Sequence, residues 1–550
     1  MKKLFITLGI IGVSLLTSAK PAYQGGMLIQ MEDGQQVMAY QHGDEYGHYT
    51  TLADGTWVKQ CSNGTWKVTQ ALTEEQIQAK RAQHPRRIAQ QTNTASPLNI
   101  APKGLVIMVN FKDKMFKMTQ AEMDSMINGV NYKREYKYKS DTIRSRGSAR
   151  QYFIDQSYGQ YQPVFDVVGP FNLPKKMAYY GENSWYGTDS YPEEMVETAC
   201  EYARDSAHVD FSQYDNDNDG IVDFVYVFYA GYGEADGGGD NTIWPHSYDI
   251  AYDWGYTETF NGKSLGKYAC SNEINYLSKE HDGIGTFVHE FSHVLGLPDL
   301  YATNNSTHKT TGAWDVMDYG PYNNDSNTPP AYSAYERFFM GWLTPTLLTD
   351  SATVTLRTTG DSAALIVTQS GTHNLVGNDP TPKKFYLVEN RQNKGWDEYL
   401  PGHGLLITKI QYDYSDWTNN SVNDYKSSMG VDIIEADGKA PSYSQSGRTN
   451  GYLGKQGDCF PYDTIDYYTK DAFSTYTLTN IQEVEEDIIL DFMGGGYTLI
   501  FGNEPKPESM DALIEVAMPM DNRCRKIFYQ GNIYILRDDH IYTLQGQQKQ

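Results

Sequence analysis

The spacing of apolar and polar positions changes several times along the chain, and each change marks an element. Residues 4–16 (LFITLGIIGVSLL) are almost unbroken apolar behind Lys2 and Lys3, and they end in Thr17-Ser18-Ala19. An apolar run this short, with a basic start and a small-residue exit, predicts a secretory signal peptide over residues 1–19, cleaved after Ala19, rather than a membrane span. Short β-prone runs then alternate with the turn pairs Asp33-Gly34, Asp54-Gly55 and Asn63-Gly64. That pattern predicts hairpins in a β-rich unit over residues 20–83, closed by a short helix at TEEQIQAKRAQ with Thr73 as its cap. Residues 84–98 are polar, contain proline and carry Arg86-Arg87; they read as a linker. A small unit ahead of a linker in an exported chain is expected to be a propeptide, with Arg86-Arg87 as a release point for a trypsin-like protease.

From Gly104 the pattern changes. LVIMVNF and IVDFVYVFYAG are apolar at nearly every position, as strands buried on both faces are. Residues 119–129 and 190–206 have helical spacing, and YSAYERFFMGW closes the region as a helix. Helices mixed with apolar strands predict an α+β domain over residues 99–344. From 345 to 495, runs such as ATVTLRT, KFYLVEN, GLLITKIQY and DIILDF predict a mainly antiparallel β domain. Residues 496–550 form a polar linker and a tail of short strands (KIFYQ, NIYILR, HIYTLQ).

Composition narrows the classes. The chain has 550 residues, too many for one core, and 39% hydrophobic with 21% charged residues is a globular balance. A formal net charge of -24 excludes nucleic acid and anionic lipid as partners and leaves proteins or peptides. The five cysteines, at 61, 200, 270, 459 and 524, are far apart and lack C-x-x-C spacing. This argues against a thiolate metal site and against a dense disulfide framework.

Chemistry concentrates in VHEFSHVLGLPDLY, residues 288–301. On a helix, His289 and His293 lie one turn apart on one face. Taking about 100° per residue from Ile284, the side chains of Val288, Phe291 and Leu295 fall within roughly 40° of one line, and the histidines fall opposite. The helix therefore buries an aliphatic stripe and presents two imidazoles. Two imidazoles at this spacing suit a zinc ion at about 2.0–2.1 Å per nitrogen. Glu290, beside the first, is placed to act as general base; this is the H-E-x-x-H arrangement of metallopeptidases. Gly296 ends the helix and turns the chain, which brings Asp299 back as third ligand; Glu336, on the later helix, is the rival for that place. Met317, in WDVMDYG, fits a methionine turn beneath the metal, and Tyr319 is a candidate to hydrogen-bond the reacting carbonyl or to pack beside the turn. In DNDNDGIVD, the alternating Asp215, Asp217 and Asp219, the turn at Gly220 and then Asp223 match the first half of a calcium loop. His246 and His403 read as structural. Cys61, alone in the N-terminal unit, could block the metal as a thiolate.

HEFSHVLGLPDLY resembles the immune inhibitor A family of secreted bacterial zinc metallopeptidases, a metzincin branch with aspartate as third ligand. GLVIMVNFKD, YFIDQSYGQYQPVFDVVGP, YAGYGEADGGGDNTIWPHS and FYLVENRQNKGWDEYLPGHGLLITKI are similar to the same family, so the likeness covers residues 100 to 460, and HGDEYGHYTTLADG extends it to the N-terminal region. The resemblance implies a metzincin-like zincin catalytic domain behind a β-rich pro-region. It also implies an exported zymogen that hydrolyses proteins, with catalytic zinc and structural calcium. Asp44, in HGDE, resembles the Gly-Asp by which some metzincin propeptides block the metal. The tyrosine after Met317 departs from the family and is more typical of other metzincins. The rival function is a surface-binding or adhesive protein on an inactive zincin scaffold. Intact Glu290 and both histidines weigh against it. Localisation is expected to be extracellular or at the cell surface.

Overall fold

The computed structural model describes residues 17–18, 20–23, 25–44, 47–73, 76, 101–183, 188–250, 259–304, 308–358, 364–367, 371–439, 454–501, 524–529, 532–537 and 540–543. The expected linker 84–98 with Arg86-Arg87, most of the helix after Thr73 and the apolar run 4–16 lie outside these residues.

Both helices and strands build the chain, as an α+β protein requires. Its centre is a six-stranded mixed sheet. Val164–Asn172, Lys103–Asn110, Val225–Tyr232 and Lys267–Ile274 run parallel; His246–Asp249 is antiparallel to the last of these. Thr17–Ser18, from the far N-terminus, pairs antiparallel with His246–Asp249 and closes that edge. The unbroken apolar strands are buried on both faces. Leu105, Ile107 and Val109 enter one core with helix Pro192–Ser206, while Val106 and Met108 enter the other with helix Gly285–Val294. Period-two alternation sends successive side chains to opposite layers, and both layers here are apolar.

The β-rich unit is a five-stranded antiparallel meander from Met27–Gln30 to Trp66–Val68. Its three tight turns lie at the predicted dipeptides, where the Gly34, Gly55 and Gly64 amides bond back to Met31, Leu52 and Cys61. In each, the Asp or Asn carboxyl or amide oxygen accepts from the amide two residues on: Asp33 from Gln35, Asp54 from Thr56, Asn63 from Thr65. These Asx bonds hold the turn independently of the rest of the fold. The meander's core is small (Met27, Ile29, Ala39, Val58, Trp66), and Tyr276 of the central region packs against it.

Downstream, a five-stranded and a four-stranded sheet share one core that includes Val354, Val388, Ile407 and Leu490. Phe385, Leu387, Ile410, Tyr412 and Trp417 instead join the core beneath helix Gly285–Val294. Residues 503–550 form a separate unit; its strands Cys524–Tyr529, Asn532–Arg537 and His540–Thr543 make an antiparallel sheet. Among the described residues, no disulfide joins Cys61, Cys200, Cys270 or Cys459. Among the described residues no helix is long and apolar enough to cross a membrane.

Candidate active site and metal centre

Helix Gly285–Val294 is buried along nearly its whole length. Phe287, Val288 and Phe291 pack under the central sheet, against Phe165, Phe224 and Tyr226. The helix stops where the sequence stops it. Gly296 has φ 97°, its amide bonds to His293 and the Leu297 amide to Ser292. This pair of bonds at a left-handed residue turns the chain sharply back, a conformation a Cβ would strain.

The turn delivers Asp299 to the histidines. Asp299 Oδ1 lies 3.3 Å from both His289 Nε2 and His293 Nε2, and the two nitrogens are 3.2 Å apart. An ion bonded tetrahedrally at about 2.0–2.1 Å separates its ligand atoms by about 3.3 Å, so the three donors fit zinc. Their second contacts fix the orientation. His289 Nδ1 bonds the Val316 carbonyl and His293 Nδ1 the Leu297 carbonyl, both at 2.7 Å, which leaves each Nε2 turned to the shared point. The segment around Met317 is a strap beneath the site: Val316 holds His289, and the fully buried Met317 accepts from the Leu300 amide at 2.7 Å. Burial alone would raise the carboxyl of Asp299, but the imidazoles of His293 and His289 outweigh it and hold Asp299 well below the usual carboxylate range.

Sequence reading missed the residue that clamps Asp299. Asn420 accepts from the Asp299 amide at 2.7 Å and donates to Asp299 Oδ2 at 2.6 Å. It lies in TNNSVND, 121 residues away, where nothing in the local pattern marks it. Glu336, the rival third ligand, is engaged elsewhere. It forms a capping box with Ser333, and burial together with Asp315 pushes its carboxyl well above the usual range.

Glu290 is fully buried, and its carboxylate lies within 4.8 Å of the imidazole nitrogens. Its Oε1 accepts, at 2.9 Å, from the backbone nitrogen of Lys20. The chain that follows that nitrogen is held as well. Trp244 Nε1 donates to the Lys20 carbonyl, Tyr322 OH to the Pro21 carbonyl, and the Tyr23 amide to Ala235. The cleft beside the three donors is thus filled by the chain's own N-terminal segment. Neither Trp244 nor Tyr322 was singled out from sequence, because their role depends on a segment hundreds of residues away.

The remaining candidates fall in different places. Tyr319 sits at the start of the turn Gly320–Tyr322, half-buried, its ring beside that of Tyr322. His246 is buried between the Trp244 carbonyl and the Tyr268 hydroxyl, and burial lowers its pKa to about 4. His403 pairs with Glu483. Cys61 Sγ donates to Glu32, and the Asp44 carbonyl bonds His48 Nδ1. Carboxylates of Asp215, Asp217 and Asp223 come within 4.8 Å of one another. The Asp219 amide donates to Asp215 and Asp217 while its own Oδ1 accepts from the Ile221 amide, and the Lys263 ammonium lies 2.6 Å from Asp215.

The β-rich unit is pinned to the site by His48, which stacks on Trp244 and lies 3.2 Å from Glu234. Burial would lower the pKa of His48, but Glu234, Asp189 and the Asn183 amide oxygen face it and push it up to about 10. A raised histidine contributes stability below its free pKa, and the contribution is lost as pH climbs through the raised value. The melting temperature of the full chain is therefore expected to fall, by on the order of a few degrees, between about pH 6.5 and about pH 10, in a step absent from His48→Gln. Parallel pH profiles for the two proteins would exclude this contact as a docking ion pair.

Residues 99–342 match the family described as immune inhibitor A peptidase M6, catalytic domain. The chain is 31% identical over 217 residues to Immune inhibitor A of Bacillus thuringiensis subsp. alesti, covering 34% of this chain and 31% of the relative. It is 28% identical over 217 residues to Pre-pro-metalloprotease PrtV of Vibrio cholerae serotype O1 (strain M66-2), covering 35% of this chain and 23% of the relative. The matched span is thus less than a third of either relative.

Proposed function

Because residues 99–342 are a peptidase domain of the immune inhibitor A (M6) family, we propose that this chain is an exported zinc endopeptidase, made as a zymogen and steadied by calcium. The reading is carried by one observation: the donor atoms of His289, His293 and Asp299 converge at 3.2–3.3 Å with Glu290 beside them. Zinc held by these three side chains supplies a Lewis acid that polarises the scissile carbonyl and acidifies a water molecule. Glu290 takes the proton of the attacking water and passes it to the leaving nitrogen. Its buried setting excludes competing solvent, and its contact with a backbone nitrogen is the one that the second transfer requires. The carbonyls of Val316 and Leu297 and the amide of Asn420 keep the donors in register throughout. Tyr319, on the rim formed by the turn after Met317, is proposed to donate to the carbonyl oxygen as charge develops there.

Latency in this reading comes from residues 20–83, which fill the cleft with the Lys20 segment and cover it with the meander. Asp215, Asp217 and Asp223 are the proposed calcium carboxylates, with the Lys263 ammonium displaced from Asp215 on binding. The signal peptide 1–19 accounts for export. A casein zymogram of the secreted, processed protein tests the whole reading. A clear band is expected, lost with a chelator and restored by zinc but not by calcium; calcium is expected to raise the melting temperature, and Asp217→Asn to abolish that rise. A band that survives thorough chelation would sink the zinc mechanism, and no cleavage in any form would favour a binding protein.

A further inference from the structure

Lys20 is completely buried, the side chain included. Its ammonium lies 2.7 Å from Asp236 Oδ1 and 3.0 Å from Thr286 Oγ1, and 4.2 Å from the centre of the Tyr322 ring. Burying an ammonium is costly unless an opposite charge and further hydrogen bonds meet it, and here all are provided. The provision is built into the peptidase domain. Asp236 is 2% exposed and is anchored by Asn272 Nδ2 at 3.0 Å. Thr286 accepts from Lys20 and donates to Asp282 Oδ2 at 3.1 Å. Thr286 stands three residues before His289 on the same helix, so the pocket opens one turn from the metal donors.

The backbone shows which residue of a bound peptide this pocket would receive. Thr17 and Ser18 pair antiparallel with Tyr248 and Ser247 of the edge strand, the mode in which an extended peptide adds to a sheet. Further along, the Lys20 and Pro21 carbonyls accept from Trp244 and Tyr322. Between these anchors, the amide nitrogen facing Glu290 is that of Lys20 itself. In hydrolysis through Glu290, the nitrogen facing that carboxylate is the one that leaves: water adds its oxygen to the carbonyl carbon, the C–N bond breaks, and Glu290 hands the water's proton to the nitrogen. The residue whose side chain fills the pocket is therefore the one on the carboxyl side of the bond cut.

We infer that Asp236, Thr286 and Tyr322 form a lysine subsite, and that the enzyme selects peptide bonds whose carboxyl-side residue is lysine, with Asp236 as the specificity-determining group. The inference rests on the peptidase reading and deepens it. It also accounts for the N-terminal segment, whose Lys20 fills the pocket with its amide nitrogen against Glu290 as a bound peptide's would.

Two measurements test it. In the first, the secreted zinc-loaded protein digests a denatured protein mixture, and new amino termini are identified by mass spectrometry. Lysine is expected at the first position at several times its abundance in the substrate. Asp236→Asn is expected to remove that enrichment, with kcat/KM for a lysine peptide falling on the order of 100-fold relative to an otherwise identical leucine peptide. Cleavage without lysine enrichment, or enrichment that survives Asp236→Asn, overturns the inference. If no form cleaves anything, the peptidase reading itself has failed, and the pocket is then judged by the second measurement. Lys20→Met, Asp236→Asn and the double variant of the full chain are melted; strong non-additivity supports a pocket that binds lysine through Asp236, and additive losses overturn it.

Discussion

Glu290→Gln is expected to reduce peptide-bond hydrolysis by about 10³-fold or more while leaving bound zinc at one equivalent per chain, because general acid–base transfer contributes on the order of 10²–10⁴-fold. Glutamine keeps the shape of the buried side chain and can still accept from the Lys20 amide, so the fold and the cleft contact survive. What it cannot do is take a proton from water and return it. Steady-state kinetics on a peptide substrate, paired with metal analysis of the same sample, separates the two effects. Activity within about tenfold of wild type would remove Glu290 from the mechanism, as that is less than one proton transfer contributes.

Asp299→Ala is expected to be at least as damaging, by a different route. Removing the third donor leaves two imidazoles, and zinc content and activity should fall together to background. Glu336→Gln is the control, because Glu336 is the other carboxylate placed to be a third ligand by sequence order. Its carboxyl caps the helix that carries it, through Ser333, and burial and Asp315 push it well above the usual range; glutamine can still accept from the Ser333 amide, so it is a close substitute. Glu336→Gln should therefore retain zinc and most activity. If Glu336→Gln loses the metal while Asp299→Ala keeps it, the donor set is wrong.

The difference between these two carboxylates illustrates what could be read in advance. His289, Glu290, His293, Gly296 and Asp299 lie within eleven residues, and their relation follows from helix geometry and one left-handed turn. The hairpins at Asp33-Gly34, Asp54-Gly55 and Asn63-Gly64 were legible for the same reason, since each turn is held by its own residues. The alternation of Leu105, Ile107 and Val109 with Val106 and Met108 placed that strand between two apolar layers. Contacts formed only by the fold were not legible. Asn420 is one asparagine among several in a polar stretch, and its selection depends on the path of strands Gly404–Gln411 and Val431–Ile433. Lys20 reads as a charged residue after a signal peptide; only the folded chain brings it 270 positions across to Glu290. Cys61 and Asp44 were chosen for chemistry suited to a metal. The contact that reaches Glu290 is instead a backbone N–H, which every residue except proline possesses and no motif can flag.

The Asn420 clamp sets a limit on how far this chain can be pared down. A fragment ending with the matched domain at residue 342 would hold the entire histidine motif and the turn after it. It would nonetheless lack the amide that steers Asp299, and Tyr335 would lose the Trp417 ring packed against it. The downstream sheets are in that sense the back wall of the proposed metal site, and excising them would dismantle it rather than simplify it.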